Sequence, residues 1–545
     1  MIKKLILILF AIAISSDAYS QNVMDYLTFK LINRDFPVYK SNREKSSMLS
    51  SIVVTPKTSK YPVSNFYTDI IVVGNGDTVW FATGSGVMRT IDRFQSYQSY
   101  FDLEPFGTDD IAGFNVRQNI VAASTAISEE ISGENVPTGT GIKVSTDYGV
   151  NWNAYPQPVD GLGDSSIIYG SNTLHALPVV VPQQNLSYDI AISKNPLDPN
   201  NQIIWIASFA GGLRKTTNYG QSWTRVVLPP DNLDSIYIGG TYNFALDPRI
   251  NLNHRAFAIL AVDDSVMYCG TADGINRSTD WGVSWRKFNY QNSGGNNNGG
   301  GVSGNFVVDL YAQQYGTGKV IWGATRRAED NNEKNAISYS LNGTTWNYTL
   351  KDIAANGVTS KDSIVYALTN EGLYRAKFLD FAWSSPPLIY DVITKDIVST
   401  KLFYSGNHIG DTLYFGSADG LLRTIETGQP WVAQWKIIRA ISPINSASDI
   451  KTYAAPNPFA PDDEVVRIFY KSGKSSAKIT IKIFDFGMNP VRTVIQNASR
   501  TGTEELFTQW DGKDENGGRV ANGVYFYRIH VDNENDTWGK ILVIQ

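Results

Sequence analysis

Four carboxylates lie where acid–base chemistry could be assembled from distant parts of the chain. Asp109 and Asp110 form one pair, and Glu329 and Asp330 form a second pair much further along. Both pairs occupy segments between predicted strands of different structural units, so one face of the folded protein could bring them together. Cleavage of a glycosidic bond needs two such groups, one of them protonated as a general acid. Since the chain has 52 acidic residues, an ordinary surface role is the alternative for each of them.

Other side chains offer less chemistry. Arg326 and Arg327 are candidates for binding an anionic ligand, because a guanidinium group pairs with a carboxylate through two hydrogen bonds. Cys269 is the only cysteine, which excludes an intrachain disulfide or a Cys-based zinc site. The four histidines are scattered, without the spacing of a metal site or of a nucleophile and its base: His175, His254, His408 and His530. We therefore expect no metal and no cofactor.

The composition narrows the class of protein. The chain has 47 basic and 52 acidic residues, which gives a net charge of −5, and no block of Lys and Arg stands out. This balance argues against nucleic acid as a partner. With 29 Tyr, 24 Phe and 13 Trp but only 18% charged residues, the composition is typical of packed β structure.

One short pattern recurs along the chain. Its copies are residues 278–285 (STDWGVSW), 145–152 (STDYGVNW), 216–223 (TTNYGQSW), a shorter copy at 340–346 (SLNGTTW) and a degenerate copy at 90–97 (TIDRFQSY). The pattern predicts a hairpin turn, because an Asp or Asn side chain accepts hydrogen bonds from backbone N–H groups ahead of it and Gly allows a positive φ. The predicted structural residues are Asp92, Asp147, Asn218, Asp280, Asn342, Trp152, Trp223, Trp285 and Trp346.

This pattern resembles the Asp-box of bacterial neuraminidase repeat propellers, which is found also in sialidases, xyloglucan-type glucanases and sortilin-like receptors. The resemblance implies a β-propeller in which the box lies on an outer hairpin, away from the binding face. It leaves the function open, because those relatives include hydrolases, receptors and assembly factors. A sialidase is disfavoured, since its usual Arg-Ile-Pro motif before the first box is absent and Arg326-Arg327 is one pair and not a cluster.

A second recurring string, made of apolar and aromatic residues followed by small residues and a Gly turn, predicts further hairpins. Repeats of this size indicate a propeller with about seven blades over residues 22–441, with six or eight as alternatives. We expect an N-terminal strand to close the ring by pairing with residues 434–438, and we expect insertions at 124–141 and 291–304. One position of the string is aromatic, which predicts packing between blades or, alternatively, stacking on sugars: Trp205, Tyr268, Trp322, Tyr366 and Tyr414.

The two ends of the chain have their own signatures. Residues 1–20 read as a secretory signal peptide, with Lys3 and Lys4 before an apolar stretch too short to span a bilayer. No later run is apolar enough to serve as a transmembrane anchor. We therefore expect a secreted protein or one at the outer-membrane surface.

Residues 442–450 are a predicted linker, and residues 451–545 form a predicted separate β module. Its motifs are Asn457-Pro458-Phe459, the turn at Trp510-Asp511-Gly512, the strand from Gly523 and the end at 539–545. They resemble FlgD-type immunoglobulin-like domains and the C-terminal sorting domains of type IX secretion cargo in Bacteroidetes-like Gram-negative bacteria. This resemblance implies passage across the outer membrane, with the type IX secretion machinery as a partner.

The functional hypothesis is an exported, non-catalytic binding propeller that takes a glycan or a surface protein as its ligand. A glycoside hydrolase using two carboxylates at the channel mouth is one alternative. A secretion-accessory factor of the envelope is another.

Overall fold

The computed structural model describes residues 38–40, 49–131, 134–394, 396–398, 400–440, 452–461, 465–501, 505–532, 534 and 536–544. The predicted signal peptide and the predicted linker lie outside these residues. The described chain is almost entirely β, with one short 3-10 helix at Leu252–His254. It divides into two compact units: residues 1–60, 66–385 and 401–418 form the first, and residues 61–65, 386–400 and 419–545 form the second.

The first unit is a ring of seven antiparallel sheets, which we call blades 1 to 7 in chain order. The inner strands are Tyr67–Val73, Asp110–Arg117, Ser187–Asn195, Ala256–Ala261, Phe306–Tyr315, Ala355–Lys361 and Phe403–Ile409. The second strands are Thr78–Thr83, Ile120–Ile131, Asp198–Ser208, Met267–Thr271, Gly318–Arg326, Ile364–Thr369 and Thr412–Ser417. The third strands of blades 1 to 6 are Gly86–Thr90, Glu134–Ser145, Gly212–Thr216, Gly274–Ser278, Ala336–Ser340 and Leu373–Lys377. The outer strands of blades 1 to 5 are Tyr97–Ser99, Asn151–Tyr155, Thr224–Arg225, Trp285–Phe288 and Asn347–Thr349. The prediction of a seven-bladed propeller is confirmed.

Further strands are added at the edges of the blades. Lys57–Ser59 pairs with the outer strand of blade 1, and Leu49–Val53 pairs with that of blade 2. Val38–Lys40 runs parallel to the second strand of blade 2, and Ser235–Ile236 extends blade 4. A small separate sheet joins Ser166–Tyr169, Asn172–Ala176 and Ala245–Leu246.

Each inner strand carries a β-bulge at the same point of its blade, where the register with the second strand shifts by one residue. Side chains near the bulges then bond to the neighbouring inner strand. Oδ2 of Asp189 accepts from the amide of Ile259 at 2.8 Å, and Nδ2 of Asn115 donates to the carbonyl of Ile190 at 2.9 Å. These bonds satisfy backbone groups that no ladder reaches and fix the spacing between blades.

The ring closes between blades 7 and 1. Nδ2 of Asn407 donates to the carbonyl of Ile70 at 3.0 Å, and Oγ of Ser405 donates to that of Tyr67 at 3.2 Å. The N-terminal strands that the structure describes do not provide the expected closure through residues 434–438, since Lys436–Ile438 pairs with Gly420–Ile425. The N-terminal strands instead extend blades 1 and 2, whose free outer edges they cover.

Small residues allow the close approach of adjacent blades. A Cβ on Gly270 would lie 2.6 Å from Cγ1 of Val307 in the next blade, and one on Gly416 would lie 2.7 Å from Cβ of Tyr67. Both distances are too short for two carbon atoms, so a side chain at either position would push the inner strands apart.

The second unit contains a β-sandwich. One sheet has the order Thr452–Ala455, Val466–Lys471, Glu505–Trp510, and the other has the order Pro490–Thr501, Ser476–Phe484, Gly523–Val531, Thr537–Val543. Alternate residues of the facing strands are buried, among them Ile468, Ile479, Ile481 and Ile529. This alternation is what the sequence of residues 478–485 predicts for a half-buried strand.

Candidate functional site

The recurring eight-residue turns lie between the third and outer strands of blades 1 to 5. In blade 4, Oδ1 of Asp280 accepts from the amides of Val283 and Ser284 at 3.2 and 2.8 Å and from the Ser278 hydroxyl at 2.8 Å. Nε1 of Trp285 donates to the carbonyl of Gly282 at 3.2 Å. Oδ1 of this carboxylate is therefore engaged by its own turn.

The bonds from backbone amides to the Asp or Asn side chain recur in the other four turns. Asp147 accepts from the amides of Val150 and Asn151, and Asp92 accepts from those of Gln95 and Ser96. In blades 3 and 5 an asparagine replaces the aspartate, and the side chains of Asn218 and Asn342 accept hydrogen bonds from backbone amides in the same way. The closing tryptophans Trp152, Trp285 and Trp346 are buried, whereas Trp223 is half-buried.

Hydrogen bonding sets the charge state of the turn carboxylates. Burial raises the pKa of Asp147 and of Asp280, but the bonds from backbone amides and side chains outweigh burial, and the net pKa of each lies below its usual value. The hydroxyl and amide of Ser96 lower the pKa of Asp92. All three groups are held as carboxylates, which is opposite to what a general acid needs.

The glycine of each turn packs on an aromatic ring of the preceding blade. A Cβ on Gly149 would lie 2.7 Å from Cη2 of Trp80, and one on Gly282 would lie 2.7 Å from Cη2 of Trp205. The rings at the recurring aromatic position are thus covered by the next blade or by neighbouring strands. All five are buried: Trp205, Tyr268, Trp322, Tyr366 and Tyr414. The alternative that these rings stack on a sugar is wrong, and their packing between blades is confirmed.

The predicted carboxylates lie on the opposite face from the turns. Loops that lead into an inner strand, or that join a second to a third strand, emerge on one side of a propeller, which we call the upper face. Asp109 and Asp110 lie at the start of the inner strand of blade 2 and are 4% and 5% exposed. Glu329 and Asp330 lie in the loop after the second strand of blade 5, where Glu329 is exposed and Asp330 is half-buried. The two pairs share a face but belong to blades 2 and 5.

The two arginines of that loop are engaged by the protein. Nη2 of Arg326 donates to the carbonyl of Ala355 at 3.1 Å and to the side chain of Asn356, so this buried guanidinium braces blade 5 against blade 6. Arg327 is exposed and bonds to Asn331 within its own loop. Neither contact resembles a preformed site for a carboxylate ligand.

Sequence analysis missed a buried carboxyl in the same loop. Glu333 is 1% exposed, and its Oε2 accepts from the amides of Asn305 and Ala328 at 2.9 and 2.7 Å. Burial raises the pKa of Glu333, although the two amide bonds oppose this shift. The side chain holds the loop in place, and its position in the loop sequence AEDNNE gave no periodic signal that it would turn inward.

The second unit has a cavity of about 490 Å³. One wall is formed by Leu388, Tyr390, Asp396 and Ile397, and the edge strands Pro490–Thr501 and Glu505–Trp510 form the other. Nearby, the buried carboxylate of Asp419 pairs with Arg439 at 2.9 Å and with Arg467 at 3.3 Å. Paired buried charges of this kind are strongly destabilising when one partner is removed, so the cluster fixes residues 419–439 to the strands of the sandwich.

Among the residues that the structure describes, no three His, Cys, Asp or Glu side chains are grouped so that they could hold a metal ion. No helix in this part of the chain is long and apolar enough to cross a membrane.

Comparison with known proteins gives partial similarities. No family model matches the chain. The xyloglucanase Xgh74A of Acetivibrio thermocellus is 30% identical over 107 residues, which are 18% of this chain and 11% of that protein. The chain therefore matches only a small part of the length of this relative.

Among solved structures, the GH74 xyloglucanase of Xanthomonas campestris is 10% identical, with 90% of this chain and 75% of that chain covered and a TM-score of 0.46. The GH74 enzyme of Niastella koreensis is 12% identical, with 91% and 75% covered and a TM-score of 0.43. PorZ, described as a bacterial surface component of the type-IX secretion system of Porphyromonas gingivalis, is 14% identical, with 89% and 66% covered and a TM-score of 0.30.

Proposed function

We propose that the chain is an exported binding protein without catalytic activity, whose propeller binds a glycan or a protein of a cell surface. The observation that carries this proposal is that carboxylates of the ring accept hydrogen bonds from backbone amides of the protein itself. Oδ2 of Asp189 and of Asp309 each accept a backbone amide of the next blade, at 2.8 and 3.1 Å. The turn carboxylates are likewise occupied by their own backbone.

A retaining or inverting glycosidase needs one carboxyl group that is protonated and another that is free, about 5–10 Å apart across a cleft that admits a sugar. Asp109 and Asp110 are nearly buried, and Glu333, whose pKa is raised, is closed off by its loop. These features favour binding over hydrolysis.

The test is a paired screen of the full chain. Binding is measured on an array of glycans and on soluble polysaccharides, and the release of reducing sugar is measured on the same polysaccharides. Binding without release is the expected result. Release of reducing sugar that is lost in Asp110→Asn or Glu329→Gln would contradict the proposal.

Glycoside hydrolysis is the second candidate function, and the short match to a xyloglucanase favours it. In this case Asp109 or Asp110 would act with Glu329 or Asp330 as acid and base. Xyloglucan is therefore included among the polysaccharides, and Glu333→Gln serves as the control that removes a buried carboxyl which no substrate reaches.

We further propose that residues 451–545 direct export through type IX secretion, as their resemblance to sorting domains implies, and that the mature protein is secreted or held at the outer-membrane surface. Deleting residues 451–545 should retain the protein inside the envelope, while mass spectrometry of the exported form should show whether the module and residues 1–20 are removed. Export of the deletion variant at the normal level would contradict this assignment. A role as a secretion-accessory factor predicts instead that loss of the chain impairs the export of other proteins.

A further inference from the structure

Three successive blades hold an aromatic residue in a strained backbone conformation. Tyr148, Tyr219 and Trp281 each precede the turn glycine of blades 2, 3 and 4, with φ of 59°, 57° and 59°. This left-handed region is unfavourable for a bulky residue and free of cost for glycine. The shorter turn of blade 5 omits the position and places only Gly343 there. The turn sets the positive φ, which Arg93 also adopts at this position in blade 1 with a φ of 57°, but it does not require a ring there.

Two of the three rings are exposed, and the third packs partly against the protein core. Tyr148 is 50% exposed and Trp281 is 36% exposed, while Tyr219 is half-buried beside the Ile-rich core of blades 2 and 3. Within the described chain, no hydrogen bond, ion pair or ring contact involves any of these three side chains. Their backbones are nevertheless fixed, since the amide of Tyr148 donates to the carbonyl of Asn119 at 2.9 Å and that of Trp281 to Ser265 at 3.1 Å. These bonds hold the backbone of Tyr148 and Trp281 in place, with both rings exposed.

The surroundings of the rings are polar and carry little free positive charge. Asn201 bonds through Nδ2 to the carbonyl of Thr217 at 2.7 Å, and Ser222 and Asn151 belong to the turns themselves. Two cations of blades 1 and 3 contact buried rings: the guanidinium of Arg89 lies 5.0 Å from the Trp80 ring, and Nζ of Lys215 lies 4.9 Å from the Trp205 ring. Such a surface fits a ligand with flat apolar faces and hydroxyl edges, and it does not favour an anionic one.

The surface widens at blade 4. Ser235–Ile236 pairs with the outer strand beside the turn, and the next two residues, Tyr237 and Ile238, are 60% and 50% exposed. The Tyr169 hydroxyl donates to the carbonyl of Val283 at 2.9 Å, which brings the hairpin with the exposed Ile168 to the same place. Exposed apolar and aromatic side chains grouped at one place are typical of a binding site.

We propose that Tyr148, Tyr219 and Trp281, with Tyr237 at the blade 4 end, form a binding surface for a neutral linear polysaccharide. We call this surface the lower rim. One ring per blade in three consecutive blades matches a ligand that is itself a repeat, and several weak contacts on one chain reinforce each other. The inference rests on the proposed glycan-binding function and places its site opposite the upper face, where a propeller of this kind is expected to bind.

The substitution that tests the lower rim is set by the backbone. Glycine at each position removes the ring and also relieves the positive φ, which offsets part of the packing that Tyr219 loses against the core of blades 2 and 3, so the triple variant Tyr148→Gly/Tyr219→Gly/Trp281→Gly should still fold. Arg93→Gly is the matched control, since Arg93 occupies the same turn position in blade 1 with φ 57° and an exposed side chain.

The probes are xyloglucan and hydroxyethyl-cellulose, both neutral, and polygalacturonate, which is anionic. We expect the full chain to bind a neutral probe, the triple variant to bind it at least about tenfold more weakly, and each single variant to lose less, because linked contacts multiply. Arg93→Gly should bind like the unsubstituted chain.

Equal binding by the triple variant would overturn the lower-rim site while leaving glycan binding in place. Failure of the unsubstituted chain to bind either neutral probe would overturn the inference, and the protein-binding form of the proposed function would stand. Hydrolysis of a probe, with binding still lost in the triple variant, would support the lower rim and overturn the non-catalytic function.

Discussion

The turns of blades 1 and 4 share a hydrogen-bond pattern but differ in the contacts made by the residues that follow the aspartate. Asp92 and Asp280 accept from the amides three and four residues ahead, at 3.1 and 3.0 Å in blade 1 and at 3.2 and 2.8 Å in blade 4. In blade 1 the glycine is replaced by Phe94, which has a φ of 67° and stacks on Tyr414 of blade 7 at 4.5 Å with an angle of 7°. In blade 4 the residue before the glycine is the exposed Trp281.

In both blades the carboxylate accepts the amides that shape the turn. The residue types at the two positions after it can therefore differ between blades. Blade 1 uses this freedom to join the first and last blades, where a flat ring covers Tyr414. Blade 4 keeps its glycine close to Trp205 and turns an aromatic ring to solvent. Four experiments test this division of roles.

Gly282→Ala should destabilise blade 4 severely. The new Cβ would lie 2.7 Å from Cη2 of Trp205 at a φ of 76°. Steric overlap with a buried ring adds to the cost of positive φ, so we expect a loss of about 4 kcal/mol in the free energy of unfolding. Gly74→Ala is the control, because Gly74 has a φ of 60° and nothing within 4 Å of its Cβ position. Chemical denaturation should give a loss of about 1 kcal/mol there, and similar losses for the two variants would refute close packing at Gly282.

The buried His254, which precedes the inner strand of blade 4, should make stability depend on pH. Burial lowers the pKa of His254 from 6.5 to about 4. Its Nδ1 accepts from the amide of Asp247 at 3.2 Å, which requires the neutral ring. Since the unfolded chain binds this proton first, stability is full above pH 6.5 and falls as the pH drops towards 4, by about 3 kcal/mol.

The measurement is the free energy of unfolding between pH 7 and pH 4.5 for the unsubstituted chain and for His254→Asn. The variant should be less stable at pH 7, because it loses ring packing, but its slope with pH should be flatter over this range. If the free energy of unfolding fell equally with pH in both proteins, protonation of His254 would not destabilise the folded state.

Asp280→Ala should cost about 2 kcal/mol, because two backbone amides and the Ser278 hydroxyl lose their acceptor. Asp280→Asn should cost less than about 1 kcal/mol, since Asn218 already fills this role in blade 3. The net pKa of Asp280 is lowered, so its contribution is present above pH 4 and is lost as the pH falls further. Asp280→Asn should therefore show a weaker loss of stability below pH 4 in thermal melts, and an unchanged acid dependence would contradict the role of the carboxylate.

Glycine substitutions should give opposite results in the two turns. Phe94→Gly relieves the φ of 67° but removes the stacking on Tyr414, and we expect a loss of about 1–2 kcal/mol. Trp281→Gly loses no ring contact, so its stability should stay within about 1 kcal/mol of the unsubstituted chain. Differential scanning calorimetry compares the two variants. Equal losses of stability would contradict the view that Phe94 joins two blades while Trp281 only faces solvent.

The propeller could be predicted because its turns repeat in sequence. Asp147 and Asp280 stand in nearly identical strings, and local hydrogen bonds of this kind leave a local pattern. Residues 124–141 break the repeat and predict an insertion without indicating its conformation. Those that the structure describes belong to two long strands, Ile120–Ile131 and Glu134–Ser145, which pair with each other.

Contacts over long sequence distances left no pattern to recognise. The amide of Ile259 reaches Asp189 in the preceding blade, and the small sheet joins Asn172–Ala176 to Ala245–Leu246. Nothing in either segment alone specifies its partner. The strain at Tyr148 and Trp281 was hidden for another reason: φ follows from the folded turn, and the letters Tyr-Gly and Trp-Gly look like ordinary variation of the motif.

The seam between blades 7 and 1 has a consequence for how the chain is made. Almost every ladder of the first unit joins neighbouring segments, so the blades can form one after another as the polypeptide emerges from its N terminus. The bond from Asn407 to Ile70 spans 337 positions and must wait for nearly the whole ring to be synthesised. Until then one side of the inner strand of blade 1 stays uncovered. A nascent chain halted before residue 403 would be an open ring that is prone to aggregation.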